Sequence, residues 1–331
     1  MRSGMLCLHA LACAAAISLC STASAQPKAE AGYPARPVRW VVPYAAGGLP
    51  DTIVRVAAPR VLEELGQQLV IDNRGGAGGI VGSEIVARAA PDGYTFLVAD
   101  VGQVAINQFL YAKLPYSPDK DLRPVSLIAT SVLYLVANNS VPVKTFNEFV
   151  AFAKSKPGQL SYGSSGIGSI HHLATEALKS AFGLNIVHVP YKGTGETIPA
   201  LLGGQVAIAY AALPSIEAHI KATRVRPLAV SSLKRTTRMP ELPTVAELGS
   251  ADYEFTPMIG LMAPAATPPA VIARMSRAVA KAMQASEVTQ RYAQLDIEPV
   301  GSTPDEYGKR ISSAVRKYAE AVKVSGTRID N

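Results

Sequence analysis

Three loops of this sequence combine glycine with hydroxyl or amide groups in a way that suits a small anion. Residues 43–51 (PYAAGGLPD), 163–169 (GSSGIGS) and 189–195 (VPYKGTG) each connect a predicted strand to a predicted helix. Glycine allows close backbone approach, and the free N–H groups at a helix start can donate to a carboxylate or phosphate. The second loop, with three serines, favours anion binding most strongly. An ordinary tight turn explains the first loop equally well, and Lys192 in the third is more simply a surface lysine.

Covalent catalysis has weaker support in the sequence. A serine hydrolase would use Ser165 as its nucleophile, but Ile167 occupies the position of the last glycine in the G-x-S-x-G turn of those enzymes. No pair of carboxylates and no Ser/His/Asp set can be assembled from the spacing of the residues. We therefore predict a binding protein without catalytic residues. A secreted enzyme that acts through Ser165 or Lys192 remains the alternative.

A bound metal or cofactor is not expected either. Residues 76–82 (GAGGIVG) superficially resemble a dinucleotide-binding loop, but residues 72–74 separate them from the preceding strand and no clear acidic partner for a ribose follows. The histidines lack the spacing of metal ligands, and adjacent His171 and His172 must point to different faces of a helix. We therefore predict no metal, no cofactor and a structural role for the histidines.

The elements that must position these loops alternate between strands and helices. The apolar pattern predicts strands at residues 38–42, 69–71, 94–99, 160–163, 185–189, 205–210, 226–230 and 259–263. It predicts helices at residues 50–65, 79–90, 145–155, 168–182 and 269–284, a helix after the strand at 185–189 that ends at residue 202, and a last helix that begins with a capping box at residues 303–306. This alternation is typical of an α/β fold with mostly parallel sheets and helices on both faces.

The chain contains two such α/β units, and the second is inserted into the first. Extended segments near residues 126–137 and 250–262 join the two units. One predicted domain therefore comprises residues 33–131 and 254–331, and the other comprises residues 132–253. Two crossings of the chain make a hinge, and ligands of open α/β folds bind beyond the carboxyl ends of the strands. We expect the ligand cleft between the two domains.

Composition and charge narrow the class of protein. The 331 residues are 48% hydrophobic and 17% charged, and the glycines are aperiodic, which excludes a disordered chain, collagen and a coiled coil. The formal net charge of +7 is spread evenly, without a run of four basic residues. Binding to nucleic acid is therefore not expected, whereas a diffuse positive charge favours the capture of small anions.

The first 25 residues have the features of a secretory signal peptide. Arg2 precedes an apolar stretch over residues 6–20, and residues 23–25 (ASA) form a small-x-small cleavage site. We predict export with cleavage after Ala25. Lipoprotein processing at Cys20 is the less favoured alternative, because Leu19 is bulky. All cysteines of the chain lie in this segment, so neither a disulfide nor a cysteine nucleophile is expected in the exported protein.

Six motifs, in this order, resemble the Bug family, the periplasmic receptors of tripartite tricarboxylate transporters. They are residues 43–51 (PYAAGGLPD), 73–79 (NRGGAGG), 90–95 (APDGYT), 162–166 (YGSSG), 188–193 (HVPYKG) and 242–247 (LPTVAE). The resemblance covers residue 33 to the C-terminus. It implies a two-domain Venus-flytrap fold, similar to type II periplasmic binding proteins, that closes on a small ligand. The ligand is usually an organic acid; a dicarboxylate is the first expectation, and an aromatic or amide-bearing compound is left open.

The resemblance also implies which residues contact the ligand and which partners the protein has. Positions carried over from the family are Tyr44, Ala46, Gly47, Gly48, Asp100, Gln103, Ser164, Ser165, Ser169 and Thr194. Asp51 is expected to stabilise the start of its helix instead. The implied protein is a periplasmic monomer that delivers a carboxylate to the permease subunits of a tripartite tricarboxylate transporter. A ligand sensor for a two-component signalling system is the alternative.

The role of Lys192 provides a first test. If backbone amides and hydroxyls hold the acid, Lys192→Ala should weaken ligand binding only slightly, as measured by isothermal titration calorimetry. A loss above about 2 kcal/mol, within the range of a hydrogen bond to a charged group, would instead make Lys192 a direct ligand contact.

Overall fold

The computed structural model describes residues 32–326. The chain divides into two units, residues 1–33 and residues 34–331, and every element below belongs to the second. The predicted signal peptide, residues 1–25 with cleavage after Ala25, lies outside the described residues. Within residues 32–326, no helix has both the length and the apolar character needed to cross a membrane.

Strands and helices alternate along most of the chain. The strands are β1 (Val38–Val42), β2 (Leu69–Asn73), β3 (Thr95–Ala99), β4 (Leu122–Ser131), β5 (Leu133–Asn138), β6 (Ser161–Ser164), β7 (Val187–Pro190), β8 (Ile208–Ala212), β9 (Val225–Val230), β10 (Met258–Pro264) and β11 (Ile297–Pro299). The α-helices are α1 (Leu49–Leu65), α2 (Ile80–Ala87), α3 (Asn107–Leu110), α4 (Phe146–Ser155), α5 (Ile170–Phe182), α6 (Thr194–Leu202), α7 (Leu213–Lys221), α8 (Pro269–Gln284), α9 (Ser286–Gln294) and α10 (Pro304–Ser325). A 3₁₀ turn (Ala77–Gly79) precedes α2, and a π-helical turn (Gly102–Ile106) precedes α3.

The strands form two mixed sheets. The first has the order β11-β4-β10-β3-β1-β2 and the second has the order β7-β6-β8-β5-β9. β1 pairs in parallel with β2 and β3, and β6 pairs in parallel with β7 and β8. The other pairs, which involve β4, β5, β9, β10 and β11, are antiparallel. Mostly parallel sheets were predicted, but both sheets are mixed and antiparallel pairs slightly outnumber parallel ones. The reason is that β4, β5, β9 and β10, which lead into or out of the other sheet, pair antiparallel.

The chain passes between the sheets twice. β4 ends at Ser131 in the first sheet and β5 begins at Leu133 in the second, so Val132 alone separates them. The return follows β9, and β10 rejoins the first sheet between β3 and β4. The domain boundaries predicted at these crossings stay a prediction.

The elements that were not predicted from the sequence include α3, α7, α9 and β11. α7 begins directly after β8, with Ala212 as its N-cap and a proline in its first turn, so no turn residue separates the two elements. α9 follows α8 after Ala285 alone, and α9 exposes most of its residues. β11 has only three residues and pairs with the edge of β4. Direct junctions and short edge strands leave little periodic pattern to detect.

The C-terminal helix packs onto the core through Tyr307. α10 begins with the predicted capping box, in which Thr303 accepts from the Glu306 N–H and Glu306 accepts from the Thr303 N–H. Tyr307 lies fully buried in the first turn, over Gly260 in β10. A methyl group at Gly260 would lie 2.2 Å from the Tyr307 ring, so this close packing requires glycine.

We expect Gly260→Ala to lower the free energy of unfolding by about 1–3 kcal/mol, the usual cost of overpacking a core. Gly308→Ala, one residue after Tyr307, is the matched control because its methyl group would lie 3.8 Å from Pro124 and alanine suits a helix interior. The control should be neutral or slightly stabilising in urea unfolding. Equal stability of the two variants would contradict the packing argument.

Candidate functional site

Four helices begin at the wall of one cavity to which both sheets contribute. α1 starts there from the first sheet, and α5, α6 and α7 start there from the second. The cavity has a volume of about 40 Å³ and is partly open to solvent. The residues that line it are Tyr44, Ala45, Gly48, Leu49, Pro50, Asp100, Ser165, Ile170, His171, Gly193, Thr194, Gly195, Ala212, Ser215, Pro257 and Ile259.

Three of these helix starts have no side-chain cap. Gly48, Gly193 and Ala212 are the N-caps of α1, α6 and α7, and none of them supplies a side-chain hydrogen bond. The first N–H groups of a helix have no partner within the helix and carry a partial positive charge. None of the described residues that line the cavity is a lysine or arginine. Backbone dipoles at the helix starts are therefore the source of positive charge among these residues.

The first loop is fixed by Asp51 rather than by a ligand. The carboxylate of Asp51 accepts hydrogen bonds from the Gly47 N–H at 2.9 Å, from Asn73 at 3.0 Å and from Arg55. Asn73 also donates to the Tyr44 carbonyl. Burial alone would raise the pKa of Asp51, but these hydrogen bonds outweigh it and hold the pKa below its usual value. The expectation that Asp51 stabilises the helix start agrees with this geometry.

A buried network of three side chains forms another part of the wall. The Gln103 Oε1 atom accepts from the Asp100 N–H at 2.9 Å, so its Nε2 group is the donor to the Tyr44 hydroxyl at 2.8 Å. The Tyr44 O–H can then donate only to Asp100 Oδ2, at 3.0 Å, and Oδ1 accepts from the Gly102 N–H. Burial raises the pKa of Asp100 to about 6, although the hydrogen bonds from Gly102 and Tyr44 favour its charged form.

The glycines at residues 76–79 make room for this network. Gln103 Nε2 also donates to the Gly78 carbonyl, and a methyl group at Gly79 would lie 2.2 Å from that nitrogen. Gly79 has a φ of +87°, which glycine adopts without strain. The segment that superficially resembled a dinucleotide loop therefore packs against Gln103.

Two of the three serines in the second loop, Ser164 and Ser165, contact histidine rings. Ser165 Oγ lies 2.7 Å from His171 Nδ1, and Ser164 Oγ lies 2.6 Å from His188 Nε2. His188 stacks on His172 with ring centroids 4.1 Å apart. Burial lowers the pKa of His171 and of His172 to about 4, and that of His188 to about 3. All three rings are therefore neutral at pH 7 and add no charge near the cavity.

The contact between Ser165 and His171 does not resemble an activated nucleophile. A general base works best when its pKa lies near the working pH, and the pKa of His171 is far below it. Within residues 32–326, no carboxylate forms a hydrogen bond with the His171 ring. The same part of the chain contains no cluster of three metal-binding side chains.

The predicted contact residues fall into two groups. The cavity is lined by Tyr44, Gly48, Asp100, Ser165 and Thr194. The other five lie beside or behind the wall. Ala46 and Gly47 are exposed on the first loop. Gln103 and Ser164 are fully buried in the contacts described above, and Ser169 is the N-cap of α5, accepting from the His172 N–H. Direct ligand contact by any of the ten stays a prediction.

Two polar residues of the wall were missed in the sequence. His171 was assigned a structural role, and Ser215 lies on α7, a helix that was not predicted. The sequence did offer one signal for His171. Only one of two adjacent helical residues can face the core, so the other histidine had to lie on a different face. Lys192 lies outside the cavity, on a wider groove that Tyr44 and Ser165 also line.

The raised pKa of Asp100 has a measurable consequence for stability. Relative to Asp100→Asn, the wild-type protein should lose about 3 kcal/mol of unfolding free energy as the pH rises from about 3 to 7, at 1.36 kcal/mol per pKa unit between the usual value of 3.8 and about 6. The sign follows because the folded state holds the proton more tightly than the unfolded state. Urea unfolding of both proteins at several pH values measures the difference in their unfolding free energies. The histidines are the same in both proteins, so their contribution to the pH dependence cancels. A constant difference would show that Asp100 titrates normally.

Comparison with known proteins identifies the family of the chain. The model of the tripartite tricarboxylate transporter family receptor matches residues 53–326. Protein BugT of Bordetella pertussis is 34% identical over 314 residues, which is 95% of this chain and 96% of that protein. The chain thus matches both the family model and a relative along most of its length.

Two solved structures with bound acids are similar to this fold. R. palustris Rpa4515 with adipate is 33% identical with a TM-score of 0.87, covering 90% of this chain and 100% of that one. MatC from Rhodopseudomonas palustris with bound malate is 30% identical with a TM-score of 0.82, covering 88% and 100%. These neighbours confirm the predicted Venus-flytrap fold, and the family whose model matches the chain is one of receptors rather than enzymes. The chain belongs to the tripartite tricarboxylate transporter family of receptors.

Proposed function

We propose that this protein is a periplasmic receptor that binds a small organic acid in the cavity and delivers it to the permease subunits of a tripartite tricarboxylate transporter. The observation that carries the proposal is the convergence of four helix N-termini on one cavity, three of them without a side-chain cap. Uncapped N–H groups and helix dipoles favour a carboxylate. An acid held in this way needs no lysine or arginine.

The hydroxyls of Ser165 and Thr194 complete the proposed carboxylate site. Both line the cavity, from the second and third loops respectively. A methyl group at Gly48 would lie 3.3 Å from Thr194 Oγ1, so the first loop directly adjoins the third. Loops from both sheets therefore surround one small volume, and a ligand there would contact both sheets at once.

Several further properties belong to the same proposal. The adipate and malate in the similar structures support a carboxylate as the ligand. Family membership supports delivery to a membrane transporter, and the signal-like first 25 residues support export to the periplasm. We propose a monomer with the hinge near residues 131–132 and 253–254. Direct capture of the permease by the ligand-loaded protein would separate a transport receptor from a sensor.

Binding of carboxylates to the purified protein tests the proposal. We expect at least one small carboxylate to raise the melting temperature, since a ligand at 100 times its Kd adds about 2.7 kcal/mol of stability. Ser165→Ala and Thr194→Val should each weaken its binding by about 10- to 100-fold, the effect of losing a hydrogen bond to a charged group. Calorimetry gives the affinities.

Ser312→Ala is the control, because Ser312 lies on α10 and its hydroxyl bonds only to the Gly308 carbonyl. This variant should bind like the wild type. If no carboxylate binds, the proposed function is wrong. If the acid binds and neither cavity variant weakens it, the site lies elsewhere.

A further inference from the structure

Asp100 is the one acidic residue among the described residues that line the cavity. The residue is 8% exposed and directly follows the last residue of β3. A simple dicarboxylate would place more negative charge beside this buried residue. The charge of the ligand must therefore be compatible with this buried carboxylate.

The hydrogen bonds around Asp100 show which protonation state the protein accommodates. Gln103 is oriented by the Asp100 N–H, and its Nε2 group occupies an acceptor position of the Tyr44 hydroxyl. The single proton of Tyr44 therefore points to Asp100 Oδ2, and the Gly102 N–H points to Oδ1 at 2.6 Å. Each oxygen receives a proton from the protein, as an ionised carboxylate requires. With a pKa of about 6, the ionised form predominates at pH 7.

The charge on Asp100 has no positive partner in the described part of the chain. Its hydrogen bonds come from a tyrosine and a backbone amide, and no lysine or arginine lines the cavity with it. His171, which shares the wall, is neutral at pH 7. An unpaired buried charge is costly, and a carboxylate oxygen with one hydrogen bond can accept another. A cationic group on the ligand would meet both requirements.

We propose that the ligand is an organic acid that also carries a cationic nitrogen, with its ammonium group bound by Asp100 and its carboxylate bound at the helix N-termini. This inference rests on the proposed function and names the class of acid. Amino acids are the simplest members of that class. The apolar parts of the wall, such as Leu49 and Ile259, suit the carbon chain between the charged groups.

Matched pairs of ligands test this inference at pH 7.5. The pairs are aspartate and succinate, glutamate and glutarate, and leucine and 4-methylpentanoate, and the two members of each pair differ only by the ammonium group. In the pair that binds best, we expect the amino acid to bind at least tenfold more tightly than its partner. Asp100→Asn, and separately Asp100→Ser, should reduce that preference at least tenfold.

Asp296→Asn is the matched control. Asp296 also accepts from a buried tyrosine, since the Tyr134 hydroxyl lies 2.6 Å from its Oδ2 atom, but it does not line the cavity. Asn tolerates the positive φ of residue 296. The preference for the amino acid should be unchanged in this variant, and the melting temperatures of the unliganded variants check that each is folded.

The outcomes separate the two levels of the proposal. Tighter binding of succinate, glutarate or 4-methylpentanoate than of its amino acid would overturn the inference and leave the carboxylate receptor standing. A preference that survives both Asp100 substitutions would also overturn it. Failure of all six compounds and of every other carboxylate to bind would overturn the proposed function, and the inference with it.

Discussion

The cavity exists because four helices from two different sheets begin at the same place. Each of these helices follows the end of a strand, so the arrangement of strands in both sheets sets where the N-termini lie. Backbone dipoles are rigid and, unlike a lysine side chain, do not have to be ordered when a ligand arrives. Such a wall suits an anion without a buried cation, and Asp100 is the single charged residue among the described residues that line it.

Polar contacts among side chains and backbone groups hold the loops in place around this cavity. Asp51 fixes the first loop through the Gly47 N–H, and Gln103 fixes Tyr44 and Asp100 relative to each other. The stacked rings of His172 and His188 support Ser164 from behind. Because these histidines are uncharged at pH 7, they add rigidity to the serine loop without adding a competing charge. Many of the polar side chains near the cavity therefore hold other residues of the loops in position.

The sequence predicted the parts of the site that depend on local pattern. Glycine and serine at strand-to-helix junctions identified three loops, and all three contribute to the wall. The sequence could not show that Ser169 caps its own helix, or that Gln103 orients Tyr44 across 59 residues. Those roles depend on which strands become neighbours. α7 was hidden for a different reason, because its first residue follows β8 directly and an uninterrupted apolar run conceals the junction.

The single residue between β4 and β5 has a mechanical consequence. Val132 spans less than 4 Å, so the two strands can rotate about it but can hardly be pulled apart. In a rotation of one sheet relative to the other, this crossing and the return after β9 would therefore be displaced least. A small torsional change at residue 132 would move loops far from it much more than the two strands that it joins.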